Sequence, residues 1–253
     1  MFDSYFEIFL ADTLIGHNIH FNIRYQVYCE ELGYEDPAKF PDKLEYDQWD
    51  PQDDHDSNTQ LFLVRLKHTG QWIGAMRLVH HNNGALPLEE ISGLDHNIIE
   101  PSIEISRLCL IKEIRKPHIQ NAYGIDEHKT PHLHNINDLE SIKLFYSNPK
   151  VKSTIIWGLF NAAAAYSKAQ NIKKGYLLSS KALIRIISRQ GFKVEQVGSQ
   201  CEHRGKRAPY RFDVEEISKH SIWDDFKQQY QLFSDLNTQY GCDKTNVRLA
   251  YSQ

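Results

Sequence analysis

The stretch Ile103-Glu104-Ile105-Ser106-Arg107-Leu108 sets a carboxylate, a hydroxyl and a guanidinium among apolar residues, which read as a buried strand. An unpaired carboxylate or guanidinium is costly to bury, so such groups persist in a core mainly when they pair with one another or line a site. This strand is where chemistry is expected. On a regular strand Glu104 and Ser106 share one face and Arg107 takes the other, because side chains alternate with period two. Either Arg107 acts from the opposite face, or a bulge re-aims it, as strand bulges beside active sites often do.

Upstream, Leu61 to Leu66, a turn at His68-Thr69-Gly70 and Trp72 to Val79 read as an antiparallel hairpin. Before it come a strand over Tyr5 to Leu10 and a helix through Ile19, Ile23, Val27 and Leu32, stopped by Gly33. On that helix Arg24 and Tyr28, four apart, share a face. Between helix and hairpin lies an irregular excursion, residues 35–60, with nine acids against two lysines and prolines at 37, 41 and 51. A solvated loop is the default reading of such a charge run.

Downstream, residues 116–138, with four histidines and two prolines, read as an inserted loop. A helix from Ser153 to Gln170 leads to a strand over Lys174 to Leu178, a helix from Ala182 to Gln190 closed by Gly191, and a strand over Phe192 to Val197. From Ser218 onward, Ile222, Trp223, Phe226, Tyr230 and Phe233 recur at helical spacing and predict one more amphipathic helix packed on the main domain. This order predicts an α/β fold, a mixed sheet with helices on both faces. It divides into a main domain over 1–215 and a helical extension over 216–253.

The 253 residues are 41% hydrophobic and 25% charged, ordinary for a soluble protein with one substantial core. The longest apolar run, Ile155 to Tyr166, falls short of the roughly 20 residues of a membrane span. The opening MFDSYFEIFLAD lacks a basic flank and a small-residue cleavage site, so a secretory signal is not expected and the protein reads as cytoplasmic. Cys29, Cys109, Cys201 and Cys242 are scattered, which argues against a zinc knuckle or a disulfide framework. His118, His128, His132 and His134 lack cysteine or carboxylate at ligand spacing, and no metal site is assigned. With no strongly basic surface, a nucleic-acid partner is not expected.

Four pieces, taken in order, form one pattern: Arg24-Tyr25-Gln26-Val27-Tyr28, Asp47-Gln48-Trp49-Asp50, Gly74-Ala75-Met76-Arg77-Leu78 and Glu104-Ile105-Ser106-Arg107. The pattern resembles the autoinducer-synthase branch of the GNAT acyltransferases, which includes acyl-homoserine lactone synthases and long-chain N-acyl amino acid synthases. With the insert after Arg107 and the run Gly205-Lys206-Arg207-Ala208-Pro209-Tyr210, the chain looks most like acyltransferases associated with the PEP-CTERM/exosortase system. That last run reads either as a simple turn or as a structural piece near the site. The lactone synthases carry Phe where this chain has Tyr28 and Trp where it has Tyr34.

The resemblance implies a GNAT-like fold and transfer of a fatty acyl group from acyl-carrier protein to the α-amine of an amino acid, with no metal or redox cofactor. An α-amine with a pKa of about 8 is largely protonated at neutral pH, so a base is needed, and Glu104 is the candidate, directly or through a water. The oxyanion needs preorganised donors, each worth ~3–4 kcal/mol, and a backbone N–H near Leu108 is the expected one. Ser106 assists there or orients the acceptor. Arg24, Arg77 and Arg107 are expected to face Asp47, Asp50 and Glu104 in a paired-charge cluster, with Tyr28 and Tyr34 completing the acceptor pocket. Lys112, Arg115 and Lys116, with Lys150 and Lys152, are candidate docking residues for the acidic carrier. Gly158 and Ala162 to Ala165 would leave room for the acyl chain, though such a run is also simply a good helix former. Two other functions stay open: a lactone synthase using S-adenosylmethionine, and a silent module that binds the carrier.

Overall fold

The structure is a computed structural model and describes residues 2–51, 58–81, 84–95, 97–98, 100–115 and 150–239. The insert expected over 116–138 lies outside them.

A mixed sheet organises the described residues, its strands in the spatial order Glu195–Gln196, Lys206–Asp213, Lys174–Ser179, Ser102–Leu110, Trp72–His80, Thr59–Leu66, Phe6–Leu10 and Gln231–Leu232, with Cys201–Glu202 pairing off this path to Lys206–Asp213. After a helical turn α1 (Phe2–Tyr5), strand β1 (Phe6–Leu10) pairs antiparallel with β2 (Thr59–Leu66), the first arm of the expected hairpin. The second arm is β3 (Trp72–His80), and β4 (Ser102–Leu110) lies antiparallel beside it. The excursion therefore ends earlier than its charge pattern suggests, since Thr59 and Gln60 already belong to β2.

Helix α2 (Leu14–Tyr25) starts at Thr13, whose hydroxyl accepts the Gly16 N–H at 3.1 Å. It widens into a π-helical turn over Gln26–Glu31, where the Leu32 N–H reaches back five residues to the Val27 carbonyl. Gly33 then ends it with φ +63°, the left-handed conformation that glycine adopts without cost. The helix packs against β3 and β4, on the face that carries Arg77 and Glu104. A short helix α3 (Pro87–Ile91) covers the same face farther along, over Val79 and Tyr176.

Beyond β4 come a turn α4 (Lys112–Arg115) and the long helix α5 (Lys150–Ala169) on the opposite face of the sheet. Then follow β5 (Lys174–Ser179), α6 (Lys181–Arg189), the two-residue strands β6 (Glu195–Gln196) and β7 (Cys201–Glu202), and β8 (Lys206–Asp213). The strand expected over Phe192 to Val197 shrinks to β6. Phe192 is drawn into the core instead, stacked 5.4 Å from Trp157. The run at 205–210 is the turn into β8 and its first half.

One irregularity of this sheet matters most. β4 and β5 run parallel and pair only at Ser102↔Lys174, Ile103↔Gly175 and Glu104↔Tyr176. β5 nevertheless stays paired with β8 as far as Ser179↔Ala208. A wedge therefore opens between β4 and β5 immediately past Glu104.

The tail does not form the expected amphipathic helix. After α7 (Val214–Ser218) and a 3-10 turn over Ser221–Asp225, the chain runs extended into β9 (Gln231–Leu232), parallel to β1, and ends in α8 (Ser234–Gln239). The reason is competition for backbone donors. Asp3 accepts the N–H groups of Lys227 and Gln228, each at 3.1 Å, and Asp12 accepts that of Ser234 at 2.8 Å. The apolar residues are buried all the same: Phe226 meets Phe2, Tyr230 meets Phe62 and Phe233 stacks on Trp72. No helix among the described residues is long and apolar enough to cross a membrane.

Candidate active site

The β3–β4 ladder slips at the expected place. Ala75 faces Cys109 and Arg77 faces Ser106, so Arg107 and Leu108 together oppose Met76 alone. This is a β-bulge, and Arg107 takes φ +50° within it, a conformation that costs a non-glycine residue on the order of 1 kcal/mol. The bulge decides between the two sequence readings. It turns Arg107 onto the acidic loop, where its guanidinium donates to Asp47 at 2.5 Å and lies 3.6 Å from Glu45.

Around it stands a charge network with three arginines and three carboxylates. Arg24, fully buried, pairs with Glu45 and lies 2.9 Å from Asp50. Arg77 donates to Asp47 at 2.7 Å, to Asp50 at 2.8 Å and to the Ser106 hydroxyl at 3.1 Å. The loop holds its own shape, since Asp47 accepts the Trp49 N–H and Asp50 accepts the Asp47 N–H. Burial pushes the Asp50 carboxyl up, but Arg24 and Arg77 outweigh it and hold the group well below the usual carboxylate range. The loop from 35 to 50 is therefore an ordered wall of the site rather than a solvated charge run.

Glu104 is not part of that network, contrary to the pairing expected from sequence. Glu45 takes the place assigned to it, and charge is balanced without Glu104. Its side chain is 3% exposed and accepts one hydrogen bond, from the Leu88 N–H in the first turn of α3, at 2.7 Å. Burial raises its pKa to about 7, against the opposing pull of the Leu88 N–H, Arg77 and Arg107.

A cavity of about 380 Å³ occupies the wedge, and Glu104, Ser106, Arg107, Arg77 and Asp47 all line it, with Tyr28 and Tyr34. Arg24 and Asp50 stand behind this layer and brace it. Tyr28 donates weakly to the Leu108 carbonyl at the bulge, at 3.5 Å, and stacks with Tyr34 at 6.4 Å between ring centres. Arg204 lies 4.8 Å above the Tyr28 ring and pairs with Glu35. Glu45 and Arg204 were missed at the level of sequence, whereas Arg207 belongs to the run read there as either a simple turn or a structural piece near the site. For Glu45 the apolar neighbours Leu44 and Tyr46 were the available signal.

Beyond the wedge, Ile105, Phe160 and Leu177 also line a narrow apolar crevice of about 40 Å³ against α5, walled by Ala163 and Ala164. Gly158 plays no part in it. A Cβ there would come within 2.3 Å of the Phe2 ring, so its smallness serves the packing of α1. Of the docking residues, Lys112 is exposed. Arg115 is not a free surface cation, because it pairs with Glu31, donates to the Leu110 carbonyl at 2.8 Å and lines the cavity. Lys116 and the side chains of Lys150 and Lys152 lie outside the described residues.

With this geometry in hand, residues 23–122 match the sequence family described as the acetyltransferase (GNAT) domain, a span that contains all four motifs. No curated protein matches the chain in sequence. Among solved structures it is similar to BjaI, a CoA-dependent acyl-homoserine lactone synthase with SAM and isopentyl-CoA, at 14% identity and TM-score 0.58, covering 90% of this chain and 92% of that one. It is also similar to FeeM, an N-acyl amino acid synthase from uncultured soil microbes, at 12% identity and TM-score 0.53, covering 88% and 98%. The CoA-dependent lactone synthase MesI gives 15% identity and TM-score 0.56, covering 89% and 98%. The fold is thus the GNAT-like fold of the autoinducer synthases. The family match over residues 23–122 and the fold together support an acyltransferase.

Proposed function

We propose that this acyltransferase moves a long-chain acyl group from the phosphopantetheine thioester of acyl-carrier protein to the α-amine of an amino acid. The observation that carries the reading is Glu104, a buried carboxylate with a pKa of about 7 that lines the cavity at the mouth of the wedge. An unpaired acid so placed is half ionised near neutrality, where an ammonium nucleophile needs a base. Glu104, directly or through a water, takes the proton of the ammonium group. The freed amine attacks the thioester carbonyl, and backbone N–H groups freed by the bulge at Arg107 and Leu108 receive the oxyanion. Collapse breaks the C–S bond, the amide nitrogen loses its second proton, and the thiolate leaves with one. The balanced arginine–carboxylate network holds these groups at fixed distances without competing for the proton.

The thioester arm enters through the wedge and its acyl chain continues between α5 and the sheet into the apolar crevice. Lys112 sits on the exposed turn past β4, where an acidic carrier would meet it. Such a donor implies reaction in the cytoplasm. The amino acid acceptor is favoured by Tyr34 in place of the lactone synthases' Trp, and by the features that resemble the exosortase-associated acyltransferases. Release of free thiol from palmitoyl-loaded carrier protein tests the reading. Thiol should appear only when an amino acid is present, and its release without any amino acid, or with S-adenosylmethionine alone, would count against it.

A further inference from the structure

Five arginines line the cavity: Arg77, Arg107, Arg115, Arg204 and Arg207. Four are committed. Arg77 and Arg107 hold Asp47, Arg115 holds Glu31 and Arg204 holds Glu35. Arg207 alone has no carboxylate partner among the described residues. It is nonetheless positioned, because its Nε donates to the His203 carbonyl at 2.8 Å across the β7–β8 turn, and the residue lines the cavity.

Register places it relative to the base. Arg77 faces Ser106, Glu104 faces Tyr176 and Tyr176 faces Arg211, so these side chains share one face of the sheet. Arg207 lies four residues before Arg211 on the same strand and therefore on the same face as Glu104. It comes just before Ala208, the last β8 residue paired with β5, and so stands at the open end of the wedge. Asp47, Glu90 and Glu104 line the same cavity. The cavity thus holds an acid without an ion-pair partner, Glu104, to which an ammonium group is drawn, and one guanidinium, that of Arg207, without a carboxylate partner among the described residues.

We infer that Arg207 is the carboxylate-binding residue of the acceptor subsite, taking the α-carboxylate of an amino acid bound as a zwitterion with its amine toward Glu104. The inference rests on the function proposed above. A planar guanidinium without a carboxylate partner among the described residues matches a carboxylate in a bidentate pair, which lysine cannot reproduce.

The test compares the preferred amino acid with its α-carboxamide, using the full-length enzyme and acyl-loaded carrier protein. The wild type should favour the acid over the amide roughly 10–100-fold in kcat/KM, the scale of a hydrogen bond to a charged group. In Arg207→Ala that ratio should collapse toward one, chiefly through a higher KM for the acid. Arg207→Lys should recover part of it, and the KM for the carrier should not move in either variant. A ratio unchanged in Arg207→Ala would overturn the inference. So would a raised carrier KM with the ratio intact, which would assign Arg207 to the phosphopantetheine phosphate instead. If the wild type acylates no amino acid, the function itself fails, a result visible before any variant is made. Calorimetric binding of the amino acid, lost in Arg207→Ala, would then still separate the subsite from the chemistry.

Discussion

Glu104→Gln should abolish turnover while making the protein more stable, and the gain should depend on pH. A carboxyl whose folded pKa is about 7 and whose unfolded value is 4.5 binds more protons folded than unfolded between those limits. Stability therefore falls as pH rises through that window, and the deficit is complete above pH 7. A shift of this size corresponds to roughly 3 kcal/mol at 1.36 kcal/mol per unit. Glutamine keeps the acceptor for the Leu88 N–H and removes the ionisation. Because ~1 kcal/mol moves Tm by about 2–4 °C in a chain of this size, the variant should melt roughly 5–10 °C above the wild type at pH 8 and show little gain at pH 4. Differential scanning calorimetry across pH reads this directly. A variant equally or less stable than the wild type at pH 8 would refute the account of Glu104 as a buried, unpaired acid, whatever happened to activity.

At a fixed concentration of the ammonium form of the amino acid, kcat/KM should rise about tenfold per pH unit below pH 7 and level off above it, and the rising limb should vanish in Glu104→Gln; a flat wild-type profile would remove the base. Asp50→Asn takes the shared carboxylate from Arg24 and Arg77 and should cost about 3–5 kcal/mol in urea denaturation at pH 7. Since the Asp50 pKa is depressed on folding, its contribution is present above about pH 4 and lost as pH falls further, so the variant should close on the wild type in acid. Ala164→Phe fills the crevice beside α5, and mass analysis of products from mixed acyl donors should shift toward shorter chains, with the KM for the carrier unchanged.

The hairpin, the strand that carries Glu104, the helix through Arg24 and its stop at Gly33 were legible because each rests on local physics: period two, period 3.6, or a left-handed residue that glycine supplies. The four motifs converge on one cavity as their order implied. Long-range effects were not legible. The bulge at Arg107 exists only as a slip against β3, and alternation alone set that side chain on the wrong face. Strand β8 was hidden by Pro209, which removes a backbone donor and argues against a strand between two others. Glu45 was lost in a charge run because, although its apolar neighbours Leu44 and Tyr46 hint at burial, nothing local announces that Arg24 and Arg107 will meet it. The tail looked helical because its aromatics recur at helical spacing. The bonds from Asp3 and Asp12 that draw it into an extended path come from more than 200 residues away.

Mass spectrometry of the products tests the central claim most directly. The purified protein would be incubated with palmitoyl-loaded carrier protein, palmitoyl-CoA labelled to be distinguishable, all common amino acids and S-adenosylmethionine. The account predicts one dominant N-palmitoyl amino acid whose acyl group derives from the carrier. An acyl lactone, or no acylated product while the carrier still binds, would contradict it.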